Sequence, residues 1–206
     1  MNASQLLVVL LTAACSAEVL EPADAHDVGV ADPASPAAFD AEAAAELAAT
    51  WRPETIQLPD AFAPGLPAGT EELLFSPGMY EAESPQHWSY VFVIAFDERL
   101  AGREDLLDVL EQYYVGLIRA VAGSRGHTLE KDATVALEEL APGRYRATVE
   151  LIDAFVTLQP LTIRMDLTLE DRDTGSLLSA AASKQDRDHA VWAELLAVRE
   201  HLRRGF

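Results

Sequence analysis

The chain contains a single cysteine, Cys15, close to its N-terminus. Everything after it is free of thiols. That excludes disulfides, a Cys-x-x-Cys redox pair, a cysteine nucleophile and thiolate metal sites from the remainder. Basic residues are also scarce: 15 Lys and Arg stand against 34 Asp and Glu, a formal net charge of −19. Nucleic-acid recognition begins with a basic surface, so no nucleic-acid partner is expected. Direct docking on the anionic face of a membrane is disfavoured for the same reason. Signature motifs are missing too. Gly123-Ser124-Arg125-Gly126 has the wrong spacing for a Gly-x-Ser-x-Gly elbow, and there is no His-Glu-x-x-His, no P-loop and no Gly-x-Gly-x-x-Gly. No cofactor and no metal are expected; a triad assembled from scattered Ser, His and Asp stays open.

What is present begins with a short apolar run, Leu6 to Leu11, followed by the small residues Thr12 to Ala14. The run is far shorter than the ~20 residues of a membrane-spanning helix. It suits the hydrophobic region of a secretory signal, although Met1 to Gln5 carry no Lys or Arg. Leu11-Thr12-Ala13-Ala14-Cys15 resembles the lipobox of bacterial lipoproteins, with Thr12 where leucine is usual. The resemblance implies a signal peptide over 1–14, lipidation of Cys15 and a membrane partner held through that anchor. Ser16 rather than aspartate follows the cysteine, which implies an outer-membrane lipoprotein facing the periplasm. Plain secretion with cleavage after Ala17, giving a soluble periplasmic protein, stays open, as does an uncleaved cytoplasmic start.

Residues 15–70 read as an acidic tether and extended linker. Eight acidic residues and no basic ones fall between 16 and 50, with Pro22, Pro33 and Pro36 breaking any helix across the first half. Phe39 to Trp51 can form a short Ala-rich helix. Residues 52–69, with Pro53, Pro59, Pro64 and Pro67, are expected to be extended, linking or lying along the domain.

Residues 71–206 carry periodic patterns and read as one α+β domain. Leu73 and Phe75 alternate and meet the turn Ser76-Pro77-Gly78. His87 to Phe96 is apolar on both faces, as in a central strand covered on both sides. Arg103 to Ala122 spaces Leu106, Leu110, Tyr113, Leu117 and Val121 as the stripe of an amphipathic helix, widened by Leu107, Tyr114 and Ile118. Strands are expected over 134–140, 144–155, 161–170 and, more weakly, 176–183. In 161–170, Leu161, Ile163, Met165, Leu167 and Leu169 alternate with polar residues. A closing helix is expected over His189 to Arg204, with Asp188 as its N-cap. The expected fold is α+β: a mostly antiparallel sheet of about five to six strands with two main helices packed on it.

Candidate chemistry is thin. Asp171-x-Asp173-x-Gly175 opens like a calcium loop, but its glycine is one position early and strands flank it, so a hairpin turn is expected. Asp186-Arg187-Asp188-His189 places an imidazole beside carboxylates, as a general base requires, and equally suits a helix start. The expected contact surface comprises Tyr80, His87, Trp88, Asp188 and His189. Phe75 to Tyr80, Trp88-Ser89-Tyr90 and Asp188 to Trp192 resemble a group of small, uncharacterised exported bacterial proteins over about 71–206, and the resemblance implies no activity. The expected function is a non-enzymatic binding or accessory domain on an exported, lipid-anchored envelope protein, its protein or small-molecule partner unknown. The alternatives are a small periplasmic hydrolase-like enzyme using His87 or His189, and a carrier of a small apolar ligand.

Overall fold

The computed structural model describes residues 39–206. The leader, Cys15 and the tether up to residue 38 lie outside the described residues.

The described chain runs α1 (Ala41–Ala49), β1 (Arg52–Leu58), β2 (Gly69–Phe75), β3 (Tyr90–Phe96), α2 (Arg103–Ser124), β4 (Thr134–Ala141), β5 (Arg144–Ile152), β6 (Pro160–Arg172), β7 (Gly175–Ser183) and α3 (Val191–Arg203). Among the described residues the strands form one seven-stranded sheet, ordered β1-β2-β3-β7-β6-β5-β4, with every neighbouring pair antiparallel. Helix α2 carries the chain from β3 to the far edge at β4. The next three strands walk back until β7 pairs with β3.

The α+β class and the antiparallel sheet agree with the sequence pattern; the strand count does not. Seven strands replace the expected five to six because residues 52–58 form a ladder with β2. Pro53 signalled a linker, yet an edge strand tolerates a proline, having one side without a partner. Two main helices, α2 and α3, pack on the sheet as expected, and the short Ala-rich helix that Phe39 to Trp51 allowed forms as α1. The Asp40 side chain accepts the Ala43 N–H at 2.8 Å, a regular N-cap ahead of an alanine-rich run.

The sheet separates two apolar layers. On one side α2 buries Leu106, Leu110, Tyr114 and Ile118 against Phe92, Ile94, Ile163, Met165 and Leu178. On the other side α3 packs on β3 and β7, with α1 beside it. Trp51, Leu74, Val91, Ala181, Trp192, Leu195 and Val198 fill that layer. Strand β7, read from its alanines and serines as weak, is buried at every position. Its small side chains suit the sheet's middle position, where both faces are covered. The outer face of β4–β6 stays wet and carries a cross-strand charge row, Glu138–Arg146–Asp166.

Three boundaries move. Strand β5 ends at Ile152 and not at 155, because Asp153 accepts the N–H groups of Phe155, Val156 and Thr157 and turns the chain. Strand β3 starts at Tyr90 and not at His87, because hydrogen-bonded turns fold the chain from Ser76 to Ser89 and Trp88 takes a left-handed φ of 53°. Helix α3 starts at Val191, so Asp188 does not cap it. The His189 Nδ1 accepts the Val191 N–H at 3.1 Å instead. Asp173-Thr174 makes the tight β6–β7 turn, with Gly175 at φ 120°.

Candidate functional site

Three loops meet at one end of the sheet: 76–89 between β2 and β3, 153–159 between β5 and β6, and 184–190 between β7 and α3. Loops on a rigid sheet are where proteins place recognition and chemistry. Two of these are joined to the third by the side chains of Asp153, His87 and Lys184.

Asp153 organises its own loop. Its Oδ1 accepts the N–H groups of Phe155 and Val156 at 3.1 and 3.0 Å, and its Oδ2 accepts the Thr157 N–H and hydroxyl at 2.9 and 2.8 Å. The residue is 1% exposed. Burial alone would raise its carboxyl, but these hydrogen bonds, led by those from Thr157, outweigh it and hold the group below its ordinary value. His87, 3% exposed, sets its Nε2 3.6 Å from Asp153 Oδ2. Its Nδ1 lies 3.2 Å from Lys184 Nζ. An ammonium only donates, so Nδ1 accepts and the ring proton sits on Nε2, facing the carboxylate. Burial, and then the Lys184 charge, push the imidazole below its ordinary value against the opposing pull of Asp153.

Lys184 also donates to the Ala82 carbonyl at 3.1 Å, and Gln185 Nε2 to the Pro85 carbonyl at 3.0 Å. Thus the segment after β7 straps the 76–89 loop. Beneath the strap the Ser89 and Ser183 hydroxyls meet at 2.8 Å. Trp88 is buried beside Phe155, edge-on at 5.2 Å.

Apolar groups stand in water around this pinned centre. Tyr80 is 38% exposed, and Val156 and Leu158 are 37% exposed. The Tyr80 ring lies 6.0 Å from Phe75 and 5.9 Å from Phe155. The Arg52 guanidinium sits 5.0 Å from the Tyr80 ring centre and donates to its hydroxyl at 2.7 Å. Arg125 donates to the Phe155 carbonyl. An aromatic held between two tilted rings and a cation has little rotamer freedom left to lose on binding.

Of the residues singled out from sequence, Tyr80, His87 and Trp88 come together at this end. Asp188 is exposed and His189 half-buried on the neighbouring segment, and no hydrogen bond links either to His87 among the described residues. Cys15 lies outside the described residues. Asp153 and Lys184 escaped sequence reading because nothing local marks them as partners of His87.

A second buried ionisable group also escaped it. Glu71 on β2 is fully buried on the α2 side. Tyr113 donates to its Oε1 at 3.0 Å, while Oε2 has no partner. Burial pushes its carboxyl up to about 8, partly offset by the Tyr113 bond and reinforced by the charge of Glu54. Tyr113 packs edge-on against Phe62 at 5.2 Å and parallel to Phe92 at 6.2 Å. Next to them the Tyr90 and Tyr114 hydroxyls meet at 2.5 Å, and Tyr114 donates to Met165 Sδ at 3.4 Å. The parity of β2 carried the signal: Glu71 shares a face with Leu73.

Among the described residues no group of three or more His, Cys, Asp or Glu stands close enough to share a metal, and no helix is long and apolar enough to cross a membrane. Two shallow depressions, about 320 and 200 Å³, lie beside the β6–β7 turn and where Lys131 and Asp132 meet the end of β5 and the start of β6. No family model, no curated protein and no solved structure matches this chain.

Proposed function

We propose that this chain is an exported envelope protein, anchored by lipid on Cys15, whose domain is a binding or accessory module that uses the three-loop end of the sheet to contact another envelope protein. One observation carries the recognition part. The loops are fixed from inside by Asp153, His87 and Lys184, yet they hold Tyr80, Val156 and Leu158 out in water. A rigid scaffold presenting apolar and aromatic tips is what a contact surface requires, because little entropy remains to be lost on docking. The anchor reading rests on Cys15 directly after an apolar run and small residues.

The hydrolase alternative would use His87 with Asp153. Its imidazole is covered, and Lys184 occupies the nitrogen that would take a proton from a substrate or a water. A carrier of an apolar ligand would need a chamber between α2 and the sheet, where side chains fill the space.

The anchor is tested by expressing the full chain in a bacterial host with labelled fatty acid. Label on the wild type, none on Cys15→Ser, and release from membranes by detergent but not by salt support it. Soluble wild-type protein cleaved after Ala17 sinks it. The surface is tested by a photo-crosslinking side chain at Tyr80 in cells. A discrete protein adduct that disappears in Val156→Asp/Leu158→Asp supports it, and an unchanged adduct or none defeats it.

A further inference from the structure

His87 joins three loops through two different kinds of contact. Toward 153–159 its Nε2 faces a carboxylate oxygen 3.6 Å away, beyond hydrogen-bond reach and with no other partner. Toward 184–190 it offers a lone pair to an ammonium. Only the second requires the ring to be neutral. A protonated imidazole keeps its donor toward Asp153 and gains attraction there. On the other side two cations would then face each other 3.2 Å apart with no acceptor between them. Asp153 cannot swing across to relieve this, since its two oxygens already accept four hydrogen bonds. Glu194 on α3 is held by Gln86 Nε2 at 3.0 Å. The charged groups facing the ring are therefore Lys184 from the segment after β7 and Asp153 from the β5–β6 loop. Lys184 is half-buried at the surface, so its ammonium has water as an alternative partner.

We propose that His87 and Lys184 form an acid-released latch: protonation of His87 expels Lys184, freeing the 80–88 and 184–190 segments while 153–159 stays closed. The latch regulates the three-loop contact surface, and in that respect rests on the binding reading above. Release removes the ties from Lys184 to Ala82 and from Gln185 to Pro85, which fix the loop that carries Tyr80. The surface is therefore rigid near neutral pH and loosened in acid. Acid sensitivity follows from the fold having placed a second cation against the imidazole.

The experiment is hydrogen exchange on the full chain at about pH 7.5 and about pH 5.5, corrected for intrinsic exchange rates. A latch opening changes protection only in the segments it frees. We expect exchange in 80–88 and 184–190 to rise about tenfold in acid, and 153–159 to change by less than about twofold. His87→Asn keeps an oxygen acceptor for Lys184 but does not titrate, so its exchange should not respond to acid. Lys184→Met removes the opposing cation and keeps the apolar stem. In that variant the His87 ring signal, followed by NMR and assigned through its loss in His87→Asn, should titrate at higher pH than in the wild type. An equal acid response in His87→Asn overturns the latch, and so does an unmoved His87 titration in Lys184→Met. None of these readouts involves a partner. A latch that works with no cross-linking from Tyr80 would defeat the binding reading alone, and cross-linking without the acid response would defeat the latch alone.

Discussion

Glu71 and His87 are both ionisable and both almost fully buried, one on strand β2 and the other in the loop between β2 and β3. The fold treats them in opposite ways. Glu71 sits among tyrosines, phenylalanines and aliphatic groups with one hydrogen-bond donor and no cation, and it keeps its proton up to about pH 8. His87 sits between a carboxylate and an ammonium and remains neutral. Burial penalises the charged form in both cases, so burial alone does not distinguish them. The difference lies in what each proton does for its neighbours. Glu71 must be protonated to be tolerated; His87 must be unprotonated to hold Lys184. The pH dependences follow with opposite signs. In the unfolded chain Glu71 ionises near 4.5, so the folded state carries the extra proton from there to about 8. Stability from Glu71 is full below pH 4.5 and is lost as pH rises toward 8. For His87 the folded value is the lower one, so its contribution is full above the ordinary 6.5 and is lost as pH falls through the folded value.

Replacing Glu71 should break the comparison most severely. Glu71→Gln has the shape of the protonated acid and cannot ionise. Each unit between the two ionisation points is worth about 1.4 kcal/mol, so the wild type should lose on the order of 4 kcal/mol between pH 4.5 and pH 8, and the variant should be spared that loss. Urea unfolding of both proteins at about pH 5 and about pH 9 reads the difference directly. Matching slopes with pH would mean that Glu71 is not buried as an isolated acid.

Asp153 is the group that makes the His87 site different, and removing it should cost about 2–3 kcal/mol, since three backbone N–H groups lose the buried carboxylate that accepts them. Asp153→Ala is the test, with Asp153→Asn recovering part of the loss through its remaining oxygen. A loss below about 0.5 kcal/mol for Asp153→Ala, measured by urea unfolding near neutrality, would show that the loop carries itself. Tyr113→Phe addresses the Glu71 side at smaller scale. It removes the single donor to that carboxyl and should cost about 1 kcal/mol at pH 5. At pH 9 the cost should grow, because a hydrogen bond to an ionised group is worth roughly 1.5–3 kcal/mol. A cost that stays constant with pH would mean Tyr113 is no longer bonded to the carboxylate once it ionises.

The same two sites show what sequence pattern conveys. Strong alternation in β6 and the doubly apolar run of β3 were legible, because register and burial act on every residue of a strand. β1 was hidden by Pro53, a residue that edge position makes harmless. β7 looked weak because small residues score low in propensity, although covering on both faces is the reason for them. On α2 the stripe holds at Leu106, Leu110, Tyr113 and Val121 and departs from the pattern at Leu117. Ile118 is fully buried and Leu117 only partly, since the helix meets the sheet along Tyr114 and Ile118. Tyr80, His87 and Trp88 fall in one loop and could be grouped by reading along the chain. Lys184 is 97 positions from His87, and no local pattern joins residues across such a span. Glu71 needed only strand parity, but a glutamate on a buried face contradicts the ordinary expectation that acids face water.

The smallest expected effect belongs to the other histidine of the proposed surface. His189 differs from His87 in each respect that matters to the comparison. It is half-buried, its Nδ1 accepts a backbone N–H from Val191, and no cation or carboxylate is bonded to it among the described residues. Losing that acceptor leaves one N–H at the first turn of α3, where water can take over, so His189→Ala should change stability by less than about 0.5 kcal/mol. It should also leave the acid response of the 80–88 and 184–190 segments as large as in the wild type, because the latch requires a ring between Lys184 and Asp153. Unfolding curves and hydrogen exchange on the same sample test both statements. A His189→Ala protein that keeps its stability but loses the acid response would move the switch from the buried ring to the half-buried one, and would show that the two histidines differ in burial but not in role.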